Sequence, residues 1–149
     1  MRVTRAIWAA TLAVAAFCSA AAESQASALP TAYRVIANPR NPTGNVDSKF
    51  LSDAFLKKIT RWPNGELILP VDLNADSPVR RKFTEAILRR SVPAVRSYWQ
   101  QLIFSGRDVP PPELDSDSVV VQYVLKHAGA VGYVAASADL TAVKLIAVK

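Results

Sequence analysis

The chain has 149 residues, 18 basic and 12 acidic side chains, and a net charge of +6. This mildly basic balance comes without the aromatic and basic motifs typical of nucleic-acid binders, so no nucleic-acid partner is predicted. His127 is the sole histidine, Cys18 is the sole cysteine, and no serine stands in a Gly-x-Ser-x-Gly turn. Neither a catalytic triad nor a histidine-rich metal site is expected from such a sequence. We therefore predict a protein that is not an enzyme, without catalytic residues, cofactor or metal.

Residues 1–22 have the composition of a secretory signal peptide. Arg2 and Arg5 precede an apolar run over residues 6–17, which small residues follow up to Ala22. The apolar run is about a dozen residues long, shorter than the roughly 20 that span a bilayer, so no stable membrane anchor is expected. Cleavage after Ala22 removes both arginines and lowers the net charge from +6 to +4.

Cys18 raises the alternative of a lipid-modified N-terminus. Phe17 stands directly before it, where signals for lipidation resemble one another in having a small residue, so this alternative is not favoured. The mature chain then contains no cysteine, and hence no disulfide or thiolate nucleophile. The sequence indicates export, and the compartment is the periplasm if the cell is Gram-negative.

The mature chain is predicted to hold one α/β domain over residues 32–149, preceded by a flexible lead-in over residues 23–31. Strand-forming residues at 33–37 are followed by a cluster of turn residues. A helix capped by Asp47 or Ser48 comes next. Its apolar residues recur at helical spacing until Trp62: Phe50, Leu51, Ala54, Phe55 and Ile59.

The chain is organised around residues 66–90, which we call the strand-turn-helix segment. A short apolar run over residues 67–71 predicts a strand covered on both faces, in which Pro70 indicates a sheet edge or a strand end. A helix begins after the turn at Ser77 and Pro78. The exposed N–H groups of a helix N-terminus make such a turn a candidate anion site. The apolar face of this helix is predicted to comprise Val79, Phe83, Ala86 and Ile87. The basic run at residues 80–82 is interpreted as a solvated face, with Arg80 at its border near the first turn.

Two further helices and two closing strands are predicted in the second half of the chain. Ser91 and Pro93 begin one helix, and the polar residues at 115–117 cap another. The closing strands are expected at residues 132–135 and 142–148. Buried positions are predicted at Phe50, Phe55, Trp62, Phe83, Tyr98, Trp99 and Val124, with Leu102, Ile103 and Leu125 on apolar helix faces.

Three motifs occur in the order found in periplasmic phosphate-binding proteins. They are FLKKITRW at residues 55–62, DSPVRRKF at residues 76–83 and GAVGYV at residues 129–134. The chain resembles one lobe of these proteins, which are the solute-binding subunits of phosphate ABC transporters. The resemblance implies an α/β fold with a three-layer mixed sheet flanked by helices, a single lobe of the periplasmic-binding-protein type II fold.

The resemblance also implies where a ligand would bind. The family's turn resembles Ser-Gly-Thr-Arg-x-x-Phe, so Ser77 and Arg80 are the candidate ligand-binding residues. Pro78 has no N–H to donate and Val79 has no hydroxyl, so phosphate or another small oxyanion is expected to bind only weakly. The alternative is an interaction or accessory module in the periplasm that kept the fold of a binding lobe. Its partner would be a second protein chain or a transporter component.

Overall fold

A computed structural model describes residues 32–149 of this chain. The predicted signal peptide and lead-in, residues 1–31, lie outside the described residues. The helices are α1 Ser48–Phe55, α2 Pro78–Phe83, α3 Val92–Phe104 and α4 Asp117–Lys126, with a π-helical segment Thr84–Leu88 directly after α2. The strands are β1 Tyr33–Ala37, β2 Asn45–Val46, β3 Leu69–Pro70, β4 Asp72–Leu73, β5 Glu113–Leu114, β6 Ala130–Ala135 and β7 Lys144–Val148. Within residues 32–149, no helix has the length and apolar character needed to cross a bilayer.

A mixed five-stranded sheet forms the centre of the fold, in the order β2-β7-β1-β6-β3. β1 pairs antiparallel with both β6 and β7, whereas β2 and β3 pair in parallel with their neighbours. The central strands β1 and β6 carry mostly buried side chains, as expected for strands covered on both faces. β4 and β5 form a separate parallel pair. The predictions of strands near 33–37, 132–135 and 142–148 are confirmed.

The two faces of β6 show how the helices cover the sheet. On one face, the Tyr133 ring stacks on Phe83 with centroids 3.8 Å apart, and Phe55 packs 4.8 Å from Phe83. On the other face, a Cβ on Gly132 would lie 2.8 Å from a methyl group of Val120 in α4. Glycine is therefore needed for α4 to pack closely on this strand. The predicted α/β fold, a mixed sheet flanked by helices, is confirmed.

β3 lies at the edge of the sheet, as Pro70 predicted. The N–H groups of Leu69 and Val71 point inward and donate to backbone carbonyls of residues 129 and 131. The outward N–H of Ile68 donates to the Thr60 carbonyl at 2.9 Å, and Pro70 has no N–H. The prediction of a strand covered on both faces is wrong. The strand is only two residues long, and alternate side chains lie on opposite faces. Leu67 and Leu69 are 52% and 36% exposed whereas Ile68 and Pro70 are buried, so one face is open to solvent.

α1 begins as predicted and ends earlier than predicted. The Asp47 carboxylate caps it by accepting from the Phe50 N–H at 2.6 Å. The helix stops at Phe55 rather than near Trp62, because Lys57 adopts a left-handed conformation with φ 52° and cannot continue the helix. Lys57 Nζ then bonds to Asp108 and to the Val109 carbonyl, which holds the turn against the loop after α3.

The helix of the strand-turn-helix segment is divided in two. Ser77 caps α2 and Pro78 is its first residue, as predicted. After six residues the backbone changes to the π-helical segment, which ends at Arg89 with φ 54°. The buried positions 80, 83, 84, 87 and 88 nevertheless keep the spacing of one helical face. Ala86, predicted on the apolar face, lies outside this face and is exposed, while Ile87 is buried.

α3 and α4 have the predicted caps, Ser91 and Ser116, each accepting from a backbone N–H three residues later. The predicted core is mostly confirmed, with buried side chains at Phe55, Trp62, Phe83, Trp99 and Val124. Phe50 and Tyr98 are only partly buried, and the Tyr98 hydroxyl donates to the Leu56 carbonyl at 2.9 Å. Ile103 and Leu125, predicted on apolar faces, are 50% and 39% exposed, because they lie at the margins of those faces near the helix ends.

Candidate functional site

Ser77 and Arg80, the two candidate ligand-binding residues, lie together in the first turn of α2. The Ser77 hydroxyl oxygen accepts from the Arg80 backbone N–H at 3.3 Å. The Ser77 N–H donates to the Asn74 carbonyl at 3.1 Å, which closes the turn between β4 and the helix. The serine oxygen thus stabilises the helix N-terminus. This contact uses one of the N–H groups that the sequence suggested for an anion.

The Arg80 side chain points inward and is 6% exposed. Its Nη1 donates to the Leu73 carbonyl at 2.6 Å and lies 2.6 Å from Glu113 Oε1, while Nη2 lies 3.2 Å from Asp72 Oδ2. The interpretation of the basic run as a solvated face is therefore wrong for Arg80. It is confirmed for Arg81 and Lys82, which are exposed.

Asp72 is the buried member of this group, with 5% of its surface exposed. The Tyr133 hydroxyl donates to Asp72 Oδ1 and accepts from the Leu73 N–H at 3.4 Å. Asp72 therefore has partners for both carboxylate oxygens. Such pairing is what a buried carboxylate requires. We call Asp72, Arg80, Glu113 and Tyr133 the Arg80 cluster.

The pKa values of the cluster follow from burial and from these contacts. Burial raises the pKa of Asp72, although the charge of Arg80 and the Tyr133 hydrogen bond act in the opposite direction. Burial alone would lower the pKa of Arg80, yet the carboxylates of Asp72 and Glu113 outweigh it and raise that pKa. Burial, followed by the charge of Asp72, raises the pKa of Tyr133 well above its ordinary value. The guanidinium thus stays charged and the phenol stays neutral.

Glu113 reaches Arg80 because β5 pairs with β4. In this parallel pair Glu113 lies opposite Asp72, and the Asp72 N–H donates to the Pro112 carbonyl at 2.9 Å. The Glu113 side chain remains 49% exposed, in contrast to the side chains of Asp72 and Arg80 at 8% and 6%. Glu113 therefore forms the solvent side of the cluster.

Sequence reasoning missed both carboxylates. Asp72 carried a usable signal, because an acidic residue directly after a buried apolar run needs a buried partner. Glu113 carried no such signal, since it directly follows the three prolines at residues 110–112 and belongs to no predicted helix or strand. Its role depends on the pairing of β5 with β4, in which Glu113 lies opposite Asp72, 41 positions earlier in the chain.

The charges in the cluster limit what it can bind. One guanidinium faces two carboxylates, so the group carries a net negative charge when both carboxylates are ionised. An oxyanion at Arg80 would have to replace one of them. His127, the sole histidine, lies at the C-terminal end of α4, where its ring stacks on Tyr123. Among residues 32–149, no group of three acidic, histidine or cysteine side chains is placed to hold a metal.

Comparison with solved structures identifies the class of fold. A Clostridium perfringens protein described as a phosphate ABC transporter substrate-binding protein, solved with bound phosphate, is 19% identical with a TM-score of 0.63. An ABC-type phosphate transport receptor from Vibrio cholerae is 22% identical with a TM-score of 0.61, and PstS from Borrelia burgdorferi is 12% identical with a TM-score of 0.55. The chain has the fold of a lobe of these proteins, which confirms the predicted resemblance.

The likeness covers 78–79% of this chain and 44–47% of the three solved proteins. The chain thus spans less than half the length of these proteins, as expected for a single lobe. No protein-family model matches the chain, and no curated protein matches it. At these identities the likeness shows the fold alone.

Proposed function

We propose that this chain is an exported, non-enzymatic solute-binding lobe that binds phosphate or another small oxyanion weakly at Ser77 and Arg80. Two facts support the proposal: the fold shared with phosphate-binding transport proteins, and an arginine next to a capped helix N-terminus in the strand-turn-helix segment. The low affinity is inferred from the 2.6 Å contact between Arg80 Nη1 and Glu113, since this carboxylate competes with an anion for the guanidinium.

The sequence of the turn argues for the same low affinity. Pro78 in place of a glycine and Val79 in place of a threonine remove two hydrogen bonds to a charged ligand, each worth about 1.5–3 kcal/mol. The combined loss is roughly 3–6 kcal/mol, or a factor of about 10²–10⁴ in affinity. An anion held from one side by a single lobe also stays largely hydrated, and salt screens its charge pairs. We expect dissociation constants in the millimolar range.

A thermal-shift screen of the mature domain at low ionic strength tests the proposal. Phosphate at about twenty times a millimolar dissociation constant would stabilise the folded state by about 1.8 kcal/mol, which raises the melting temperature by several degrees. Chloride at matched ionic strength is the control, because it separates specific binding from screening. Equal melting temperatures in phosphate, sulfate and chloride would contradict oxyanion binding.

The second candidate function is an interaction module that kept the fold of a binding lobe. The observation in its favour is an exposed apolar end of α3, where Phe104 is 88% and Ile103 50% exposed, followed by Val109 at 60%. Exposed apolar groups of this kind mark interaction surfaces when they are contiguous. The partner would be a second protein chain or a transporter component. This function would be favoured if no oxyanion in the screen changed the melting temperature and only a protein partner raised it.

Export with signal-peptide cleavage needs a separate test. The charged start, short apolar run and small residues before Glu23 support cleavage after Ala22. Mass spectrometry of the protein purified from the periplasm or the medium should show a chain that begins at Glu23. Recovery of the chain with Met1 intact in the cytoplasm would overturn the compartment.

A further inference from the structure

We propose that Glu113 is an intramolecular competitor of the anion, and that its carboxylate sets the affinity and specificity of the Arg80 site. This inference rests on the proposed oxyanion binding at Arg80. It assigns Glu113 as the residue that an incoming phosphate displaces.

Arg80 Nη1 has two partners, of which an anion can replace only one. Nη1 donates to the Leu73 carbonyl at 2.6 Å and forms an ion pair with Glu113 Oε1, also at 2.6 Å. The Leu73 carbonyl belongs to β4 and cannot leave without breaking the strand pair. The contact with Glu113 is therefore the position at Nη1 where an oxyanion oxygen can enter.

Exposure separates the two carboxylates of the cluster. The Asp72 side chain is 8% exposed and bonded to Tyr133, so moving it away from Arg80 would leave an unpaired charge in the interior. The Glu113 side chain is 49% exposed, and rotation about its side-chain bonds is enough to place the carboxylate in water. Glu113 can leave at low cost and Asp72 cannot.

The displacement also explains how the site selects its ligand. With Glu113 in place the cluster is net negative, so an anion meets repulsion as well as an occupied donor. With Glu113 turned away, Arg80 and Asp72 balance each other and the position beside Nη1 becomes free for an oxyanion oxygen. Only an anion that binds Arg80 more strongly than a tethered carboxylate does can hold this second arrangement. Charged oxyanions such as phosphate and sulfate belong to this group, and neutral solutes do not.

The test compares Glu113→Gln with the wild type in phosphate titrations followed by amide NMR at low ionic strength. The amide side chain keeps the shape and removes the competing charge. We expect phosphate to bind about tenfold to a hundredfold more tightly, the range expected when one charge-assisted hydrogen bond no longer competes. Glu85→Gln is the matched control, because it changes the net charge equally at an exposed side chain outside the Arg80 cluster, and its affinity should stay within about twofold.

The outcomes distinguish the role of Glu113 from the proposed function. Unchanged affinity in Glu113→Gln, with weak binding in the wild type, overturns the role of Glu113 and leaves the proposed function standing. Equal tightening in Glu85→Gln overturns it as well, because the effect is then one of net charge. Binding by Glu113→Gln alone supports the competitor and removes anion binding from the wild type. No binding by either protein overturns both claims, provided that the folded amide spectrum is retained, which the same experiment shows.

Discussion

The aromatic core and the Arg80 cluster meet at one side chain and are stabilised in different ways. The ring of Tyr133 stacks on Phe83 in the core, while its hydroxyl donates to Asp72 in the cluster. Core packing depends on removing apolar surface from water, so the stability lost on substitution grows with the side-chain volume removed. The cluster depends on complete pairing, because a single missing partner leaves a buried charge. Apolar packing therefore stabilises the core, and paired charges hold the strand-turn-helix segment against β5.

The largest effect is expected in the core. Trp99→Ala should destabilise the protein by about 3–5 kcal/mol, because Trp99 is 5% exposed and its removal leaves a cavity. Phe104→Ala on the same helix is the matched control, with a change within about 0.5 kcal/mol since Phe104 is 88% exposed. Urea unfolding followed by circular dichroism measures both. Similar losses in the two variants would contradict the assignment of Trp99 to the core.

The second-largest loss of stability is expected when the cation of the cluster is removed. Arg80→Met leaves the buried Asp72 with only Tyr133 as a partner, and we expect a loss of about 3 kcal/mol. Adding Asp72→Asn should recover part of this loss, because the unpaired charge is then gone. A double-mutant cycle in urea gives the coupling between the two residues. Additive losses would mean that the two side chains do not form the pair seen in the structure.

Tyr133 belongs to both regions, and substituting it by phenylalanine changes only the cluster. Tyr133→Phe keeps the ring in the core and removes the hydroxyl from Asp72, at a cost of about 1–3 kcal/mol at neutral pH. The folded pKa of Tyr133 is raised above its unfolded value, so the stability linked to its neutral form is present below pH ~10 and is lost as pH rises further. The stability difference between wild type and variant should shrink above pH ~10 in urea melts. A difference that stays constant up to pH ~11 would be inconsistent with the raised pKa.

The smallest effect concerns the helix cap. Ser77→Ala removes the oxygen that accepts from the Arg80 N–H and should cost about 1 kcal/mol. Ser97→Ala serves as the control, because Ser97 is exposed in the middle of α3 and its hydroxyl donates only to the Pro93 carbonyl one turn earlier, so no cap is lost. In thermal melts, we expect the melting temperature of Ser77→Ala to lie a few degrees below that of Ser97→Ala. If Ser97→Ala costs as much as Ser77→Ala, the Ser77 oxygen does not act as a cap.

The comparison also shows which features the sequence predicts. Apolar periodicity and cap residues depend on neighbouring positions, so β1, α2 to α4 and most of the core were predictable. The end of α1 was not, because the left-handed conformation of Lys57 goes together with its distant contacts to Asp108 and Val109. The Arg80 cluster was missed for the same reason. It needs the pairing of β4 with β5, two strands of two residues each, for which no local pattern exists.

Calorimetric titration of the mature wild-type domain with phosphate tests the central proposal most directly. Because two carboxylates lie against the Arg80 guanidinium and the described residues form a single lobe, we predict a dissociation constant in the millimolar range at low ionic strength. Binding should weaken further when salt is raised to physiological levels. A micromolar affinity that resists salt would contradict the proposal, and would indicate that a second chain completes the cleft.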